Sequence, residues 1–360
     1  MQTIKAAVCR EHNTPLVIEE IQLADPQMGQ VEVEIDAVAI CHSDISFQQG
    51  GFNRALPAVF GHEAAGTVTR VGDGVKGVAV GDSVCVTLIH ACGQCTTCGS
   101  GRPTLCETPY DGMKGPLSKD GEPIFQAMAS GAFAEKVVVD QSQVCTIPAD
   151  IPKDVASLIS CGVITGVGAA TLAAGIRVGQ DVVVIGAGGV GLNAIQGAVI
   201  AGARRVVAVD MLDEKLEVAK EFGATDVVSA GGEKPWSAVK KILGRGADVV
   251  LVTVGSAPVY EQAPRYLGMG GKVIMVGLPH GDKTVTFSPL VVAGQGQGYI
   301  GSMMGDVVVK RDIPWIIDLY KQGRLKLDEL ISGRYAFDQI NEAIENTKTG
   351  TARRNVIVMK

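Results

Sequence analysis

Four cysteines, Cys92, Cys95, Cys98 and Cys106, fall within fifteen residues in a Cys-x2-Cys-x2-Cys-x7-Cys spacing, and no other feature constrains this chain as strongly. Four thiolates close a tetrahedral shell around one zinc ion, and a closed shell leaves no position for a substrate. A metal held there is a structural staple, so a catalytic metal needs other ligands. Cys41, His62 and Cys161 form a second candidate set, two sulfurs and one imidazole, that leaves one position exchangeable. Taken singly, each of the three also reads as an ordinary buried cysteine or core histidine.

At 360 residues the chain exceeds the usual size of one domain, and two are expected. The formal charge of −6, from 32 basic and 38 acidic residues, supplies no basic field for a phosphate backbone, so nucleic acid is not an expected partner. Nine cysteines are an odd number in a large chain whose Met1 end lacks a charged segment followed by an apolar one; a reducing cytoplasm is expected rather than a disulfide framework. The longest apolar stretches, such as 249–254, are strand-length and fall short of the about 20 residues that span a bilayer. No membrane association is expected.

From residue 5 to about 147 the text alternates, as in Val31-Glu32-Val33-Glu34-Ile35, and Pro26, Gly29, Pro57, Gly72, Gly74 and Gly81 interrupt it. Such a pattern predicts short antiparallel strands. Residues 91–130 read as a long loop that carries the four cysteines. After Pro148 and Pro152 the pattern becomes strand runs alternating with helix-length segments, the mark of a parallel sheet. Strands are expected at 181–185, 205–209, 226–228, 247–254 and 272–276, with a sixth at 298–302. Asp213 reads as an N-cap, Gly223 as a helix stop, and Leu216, Ala219 and Phe222 as one apolar face between them. A helix is expected from about 312, and a closing strand at 355–359 that rejoins the first domain. The expected domains are 1–150 with 300–360, and 151–299.

The first strand of the parallel set runs into Gly186-Ala187-Gly188-Gly189-Val190-Gly191 and a helix-compatible segment, the place where a dinucleotide pyrophosphate meets a helix N-terminus. Gly186 suits the tight turn, Gly188 the close approach of phosphate, and Gly191 the packing of helix on sheet. Nineteen residues after Gly191, Asp210 is placed to accept hydrogen bonds from ribose hydroxyls, with Lys215 a further candidate. A carboxylate there repels a 2′-phosphate, and Met211-Leu212 follows instead of arginine, so NAD is expected over NADP.

These motifs, Cys41-His42-Ser43-Asp44, Gly61-His62-Glu63-Ala64-Ala65-Gly66, the four-cysteine lobe, Cys161-Gly162-Val163-Ile164-Thr165-Gly166, the glycine fingerprint and Asp210, stand in the order found in the zinc-dependent medium-chain alcohol dehydrogenases, and the chain resembles that family over essentially its whole length. The resemblance implies an α/β enzyme: a GroES-like, mostly antiparallel β catalytic domain plus a Rossmann domain with a doubly wound parallel sheet, and the active site in the cleft. It implies two zinc ions per subunit and NAD. Cys41, His62 and Cys161 become ligands of the catalytic zinc, Glu63 a carboxylate behind it, and Asp44 the acceptor that orients His62. Ser43 matches the hydroxyl that takes the substrate proton. Many relatives end that relay with a histidine three residues later; here Ser46 stands there, which leaves Ser46 with water, or His42, as the exit. Thr165 and Arg354 are implied cofactor contacts, Arg354 as a phosphate partner.

The same resemblance implies a substrate cleft of Phe52, Leu88, Ala127, Met128, Leu278 and Ile300, apolar and without a cation for an acid or phosphate. The expected reaction is reversible NAD-linked oxidation of a primary alkyl or aryl alcohol to the aldehyde or ketone. Two enzyme alternatives are glutathione-dependent formaldehyde oxidation, which the absence of a carboxylate at 48–53 disfavours, and polyol oxidation, which often replaces the third ligand by glutamate where this chain has Cys161. A non-enzyme alternative is a zinc-stabilised NAD-binding redox sensor, whose mark would be a missing catalytic ligand. The partner expected is a small-molecule alcohol or aldehyde, and a homodimer is favoured over a tetramer.

Overall fold

The computed structural model describes residues 1–51, 55–279 and 281–359. The chain divides into two compact units, residues 1–162 with 308–360, and residues 163–307. These crossings differ from the sequence-based limits near 150 and 300 for physical reasons. Helix Lys153–Leu158 packs on strands Gln30–Ala39 and Glu63–Val71 of the first unit, and strand Gly298–Gly301 pairs with Leu267–Met275 in the second.

In the first unit the central strand is Gln30–Ala39. It lies antiparallel to Glu63–Val71, Lys136–Asp140 and Arg354–Val358, in a seven-stranded sheet that also holds Ser83–Val86, Val144–Thr146 and Ile331–Ala336. The closing strand thus returns to the first unit. Alternation puts Val31, Val33 and Ile35 into the core, which also takes Val68, Val84 and Val139. Glu32, fully buried despite its charge, is held by Thr69 Oγ1 at 2.7 Å and Arg70 Nε at 2.8 Å. The unit's smaller sheet includes Gln2–Cys9 and Val17–Leu23, paired from Gln2↔Leu23 to Val8↔Val17.

The second unit holds six parallel strands in the spatial order Asp226–Ser229, Arg205–Asp210, Asp181–Ile185, Ala247–Val252, Leu267–Met275 and Gly298–Gly301. Numbered along this unit, the order is 3-2-1-4-5-6, the doubly wound dinucleotide-binding arrangement. Every residue of Asp181–Ile185 is buried, which is why that strand reads as an unbroken apolar run instead of an alternation. Helix Asp213–Glu221 is capped by Leu212, so Asp213 is its first helical residue and not its N-cap; Gly223, at φ +106°, stops it as expected.

One element was absent from the sequence reading. Residues Lys153–Ala173 form a continuous helical run, long and apolar enough by length and composition to cross a membrane, and 89% of its most apolar window is buried within the protein. The longest apolar segment is therefore this core helix, and not a strand. A helix buried on all sides shows no polar face, and without a polar face it has no 3.6-residue period to detect.

Candidate active site

Three segments of the first unit converge because of sheet register. Strands Gln30–Ala39 and Glu63–Val71 pair Ala39 with Glu63, so that Cys41, two residues beyond one strand's end, comes level with the His62 segment before the other's start. The pairing of Val356 with Ala39 brings Arg354 opposite Cys41 in the same way. The fourth piece is the helical run, tied to the sheet by Ser160 Oγ, which donates to Ala64 O at 2.7 Å. Within that run Ile159–Val163 is a widened π turn, and Cys161 sits at its centre. Turns of that kind re-aim side chains and recur at functional sites.

Cys41 is the N-cap of helix His42–Gln48, and Asp44 is the third residue of its first turn. Asp44 joins two ligand segments. Its Oδ2 accepts from Cys41 N at 3.1 Å, and its Oδ1 accepts from Gly61 N at 2.9 Å and lies 3.0 Å from His62 Nδ1. A carboxylate on Nδ1 fixes that nitrogen as the donor and leaves Nε2 with its lone pair free. Gly61 permits the close turn: at φ +89°, a Cβ there would lie 2.6 Å from Phe133 N.

Donor atoms of Cys41, His62, Glu63 and Cys161 lie within 4.8 Å of one another, and all four residues are buried. His62 Nε2 and both oxygens of Glu63 are buried with no hydrogen-bond partner among the described residues. Buried polar atoms without a hydrogen bond are costly, and these lie together with the two cysteine sulfurs. Two sulfurs and an imidazole are the donor chemistry of a catalytic zinc site, with one position left exchangeable. The residues therefore fit the metal.

The electrostatics are those of a crowded, desolvated cluster. The hydrogen bond between the two thiols, helped by His62, holds Cys41 well below the ordinary thiol range, and the same bond with burial pushes Cys161 well above it. Burial opposes a charge on His62, but Asp44 and Cys41 outweigh it and raise the imidazole. Burial pushes Glu63 up to about 8 against the pull of Arg354, whose Nη1 lies 3.3 Å from Glu63 Oε1. A bound dication reverses this balance for the thiols, which it deprotonates.

Arg354 is only 5% exposed, and its guanidinium lies where a Cβ on Gly162 would come within 2.0 Å of Nη2. Its place beside the carboxylate of Glu63 is a consequence of strand register that no motif displays. His42 is exposed, while Ser43 and Ser46, one helical turn apart, are half-buried. Of the residues read as a substrate cleft, Ala127 is fully buried and packs within the core of the first unit. Leu88 and Met128 are half-buried in the first unit. In the second, Ile300 is half-buried beside Ile274 and Leu278 is 64% exposed. Phe52 lies outside the described residues.

The four-cysteine lobe is a different construction. Cys92, Cys95, Cys98 and Cys106 also bring their sulfurs within 4.8 Å of one another, but all four are half-exposed. Their sulfurs are held by local backbone: Cys95 N reaches Cys92 Sγ at 3.3 Å, Cys92 N reaches Cys106 Sγ at 3.3 Å, and Glu107 N reaches Cys95 Sγ at 3.4 Å. The Thr97 hydroxyl, with Glu107 N–H, lowers Cys95 to about 6, a thiol already inclined to act as a ligand.

In the second unit, strand Asp181–Ile185 turns at Gly186, φ +96°, into helix Gly189–Ile200, which Gly188 caps. A Cβ on Gly191 would fall 1.8 Å from Gly186 O, so only glycine lets the helix meet the strand. At Gly188 a Cβ would meet nothing within 4 Å, which leaves open space at the helix N-terminus where a pyrophosphate fits. Gly189 and Val190 begin the helix beside that space and are half-buried. Asp210 ends its strand as expected, its Oδ2 accepting from Ala187 N at 2.7 Å and its Oδ1 from Leu212 N at 3.1 Å. Lys215 is half-buried on the following helix. Thr165 is buried, its hydroxyl 3.7 Å from Met304 Sδ.

Residues 27–149 match the alcohol dehydrogenase GroES-like domain, and residues 189–322 match the zinc-binding dehydrogenase domain. The chain is 35% identical over 364 residues to the NDMA-dependent alcohol dehydrogenase of Amycolatopsis methanolica, with 98% of each chain covered. It is equally 35% identical over 369 residues to the probable S-(hydroxymethyl)glutathione dehydrogenase 1 of Schizosaccharomyces pombe, covering 99% of this chain and 97% of that one. Among solved structures, benzyl alcohol dehydrogenase from Acinetobacter calcoaceticus superposes with a TM-score of 0.94 at 30% identity, covering 100% of both chains. With these likenesses over its whole length and the donor set in place, the chain belongs to the zinc-dependent medium-chain alcohol dehydrogenase family and is an oxidoreductase acting on alcohols.

Proposed function

We propose that this enzyme oxidises a primary alcohol bearing an alkyl or aryl group to the aldehyde, reversibly, with NAD as hydride acceptor and one zinc ion in each cysteine cluster. The single observation that carries the reading is the buried set of Cys41, His62 and Cys161, with Asp44 on one face of the imidazole and an unpaired Nε2 on the other. Atoms balance as RCH2OH and NAD+ giving RCHO, NADH and one proton. When bound, zinc supplies the Lewis acidity that lowers the pKa of the alcohol, and NAD supplies the hydride acceptor.

The chain's own residues do the rest. Asp44 holds His62 in one tautomer and one orientation, so that two thiolates and Nε2 form a fixed donor face. Ser43 receives the proton of the alcohol by hydrogen bond, and Ser46, one helical turn on, passes it through water toward the exposed side where His42 lies. Glu63, kept in place by Arg354, offers a further oxygen donor while substrate and product exchange. Gly188 and the helix behind it receive the pyrophosphate, and Asp210 takes the ribose hydroxyls. The carboxylate of Asp210 and the absence of a cation at Met211 and Leu212 favour NAD over NADP.

The test is a panel of benzyl alcohol, straight-chain alcohols, a sugar alcohol and S-(hydroxymethyl)glutathione with each nucleotide, alongside a zinc determination. Turnover of benzyl or straight-chain alcohols with NAD, at two zinc ions per chain, is the expected result. Preference for the glutathione adduct or for NADP overturns the substrate or cofactor part. A homodimer joined through the outer strand Gly298–Gly301 completes the proposal, and a monomeric mass by light scattering sinks that part alone.

A further inference from the structure

Two consecutive non-glycine residues, Met128 and Ala129, hold φ of +50° and +54°. L-residues occupy that region only where the surroundings compel it. Here the three successive carbonyls of the turn each meet a buried polar side chain. Ser130 Oγ lies 3.1 Å from Met128 O, Gln143 Nε2 donates to Ala129 O at 2.8 Å, and Gln126 Nε2 donates to Ser130 O at 2.9 Å. Gln126, Ser130 and Gln143 are all buried, so water cannot replace these bonds if one is lost.

The same clamp grips a second segment. Gln143 Nε2 also donates to Thr87 O at 2.9 Å, Ser130 Oγ lies 3.2 Å from that oxygen, and Thr87 N donates to Gln143 O at 2.9 Å. Both segments border His62. Thr87 follows Val86, whose strand partner Ala64 stands two residues after His62. The clamped turn leads into Ala132 and Phe133, whose N–H groups donate to Gly61 O at 2.9 Å and Phe60 O at 2.8 Å. Met128 and Leu88 are thus half-buried apolar side chains on two segments that run to the His62 stretch and that one amide side chain ties together.

We propose that Gln143 is a positioning residue for substrate selectivity: by clamping the Met128–Ala129 turn to the Thr87–Leu88 segment it fixes two apolar walls that select alcohols with a bulky apolar group. The proposal rests on the reading of the Cys41, His62 and Cys161 cluster as the alcohol site. Backbone strain recurs at sites where a side chain must be aimed, and a wall that can relax discriminates poorly between large and small substrates.

The test compares kcat/KM for benzyl alcohol and ethanol in the wild type, Gln143→Met and Met128→Ala, as zinc-loaded holoenzymes. Gln143→Met keeps the volume and removes both donors. The benzyl-to-ethanol ratio is expected to fall by about tenfold, the size of a small misfit in an apolar pocket. The loss is expected in KM for benzyl alcohol, with zinc content and KM for NAD unchanged, which loss of structure alone would not produce. Met128→Ala, which leaves the clamp intact and removes one wall, is expected to lower the same ratio and serves if Gln143→Met does not fold. A wild type active on both alcohols, with the ratio unmoved in either folded variant, overturns the clamp alone. A wild type that oxidises neither overturns the reading of the site and the clamp with it.

Discussion

The two cysteine clusters can be compared directly, since both gather metal-type donors within the same span, yet they are built by opposite means. In the lobe, four half-exposed sulfurs come from one fifteen-residue segment and are steadied by backbone N–H groups two to fourteen positions away. In the buried cluster the donors come from residues 41, 62, 63 and 161, and side chains from still other elements fix them. A local cluster of four thiolates folds around its metal and offers nothing further. A cluster assembled by a sheet and a helix keeps its donors in a dry place, with one coordination position to spare and a carboxylate on the far side of the imidazole. The difference separates a staple from a reaction centre, and substitutions on each side test it.

The largest expected effect lies in the buried cluster. His62→Ala removes the nitrogen donor, and kcat/KM for alcohol oxidation is expected to fall by about a thousandfold or more, the rate equivalent of several kcal/mol of lost charge stabilisation. Metal analysis should then find the lobe's zinc alone. Activity within tenfold of the wild type would place the reaction elsewhere.

Next in size is Asp44→Asn, which keeps the shape of the side chain but exchanges a carboxylate for an amide at the meeting point of Cys41 N, Gly61 N and His62 Nδ1. Loss of such a partner typically costs about 10- to 100-fold in metal affinity or turnover. Competition with a zinc-selective chelator measures the affinity directly. An unchanged off-rate would mean that Asp44 only caps its helix.

Cys98→Ser tests the other side of the comparison. Losing the lobe's metal removes folding energy, so the apparent Tm is expected to drop by about 5–10 °C, while kcat per folded, singly loaded molecule stays within about threefold. Thermal melts paired with active-site titration separate the two effects. A collapse of kcat in protein that melts normally would show that the lobe shapes the reaction centre.

How much of this was visible in the residues follows the same division. The lobe, the glycine turn and Asp210 are written in short spacings, and the parallel strands show as apolar runs, so most stand at or near their expected place, while strand Leu267–Met275 begins five residues before its expected start. What spacing cannot convey is register. Nothing local says that Asp44 will bridge to Gly61, seventeen residues on, or that Arg354 will lie beside Glu63. The helix of Lys153–Ala173 escaped for the opposite reason: it is apolar on every face and carries no period. Ala127 is read as part of a cleft only through the family resemblance, whereas it is fully buried in the core of the first unit.

Ser160 gives the smallest and most discriminating test, because its hydroxyl ties the Cys161 helix to the strand that begins at Glu63. Ser160→Ala deletes one neutral hydrogen bond and leaves Ala64 O, already in the ladder with Val86, with one fewer donor. The expected cost is about 1 kcal/mol of stability, read from denaturant midpoints at unchanged m-value. If the buried cluster depends on long-range ties as argued, this small loss should fall unevenly: zinc should leave the Cys41, His62 and Cys161 site several-fold faster while the lobe retains its ion at the wild-type rate. Equal acceleration at both sites would mean that the variant loosens the whole unit, and the contrast between an assembled centre and a local staple would fail.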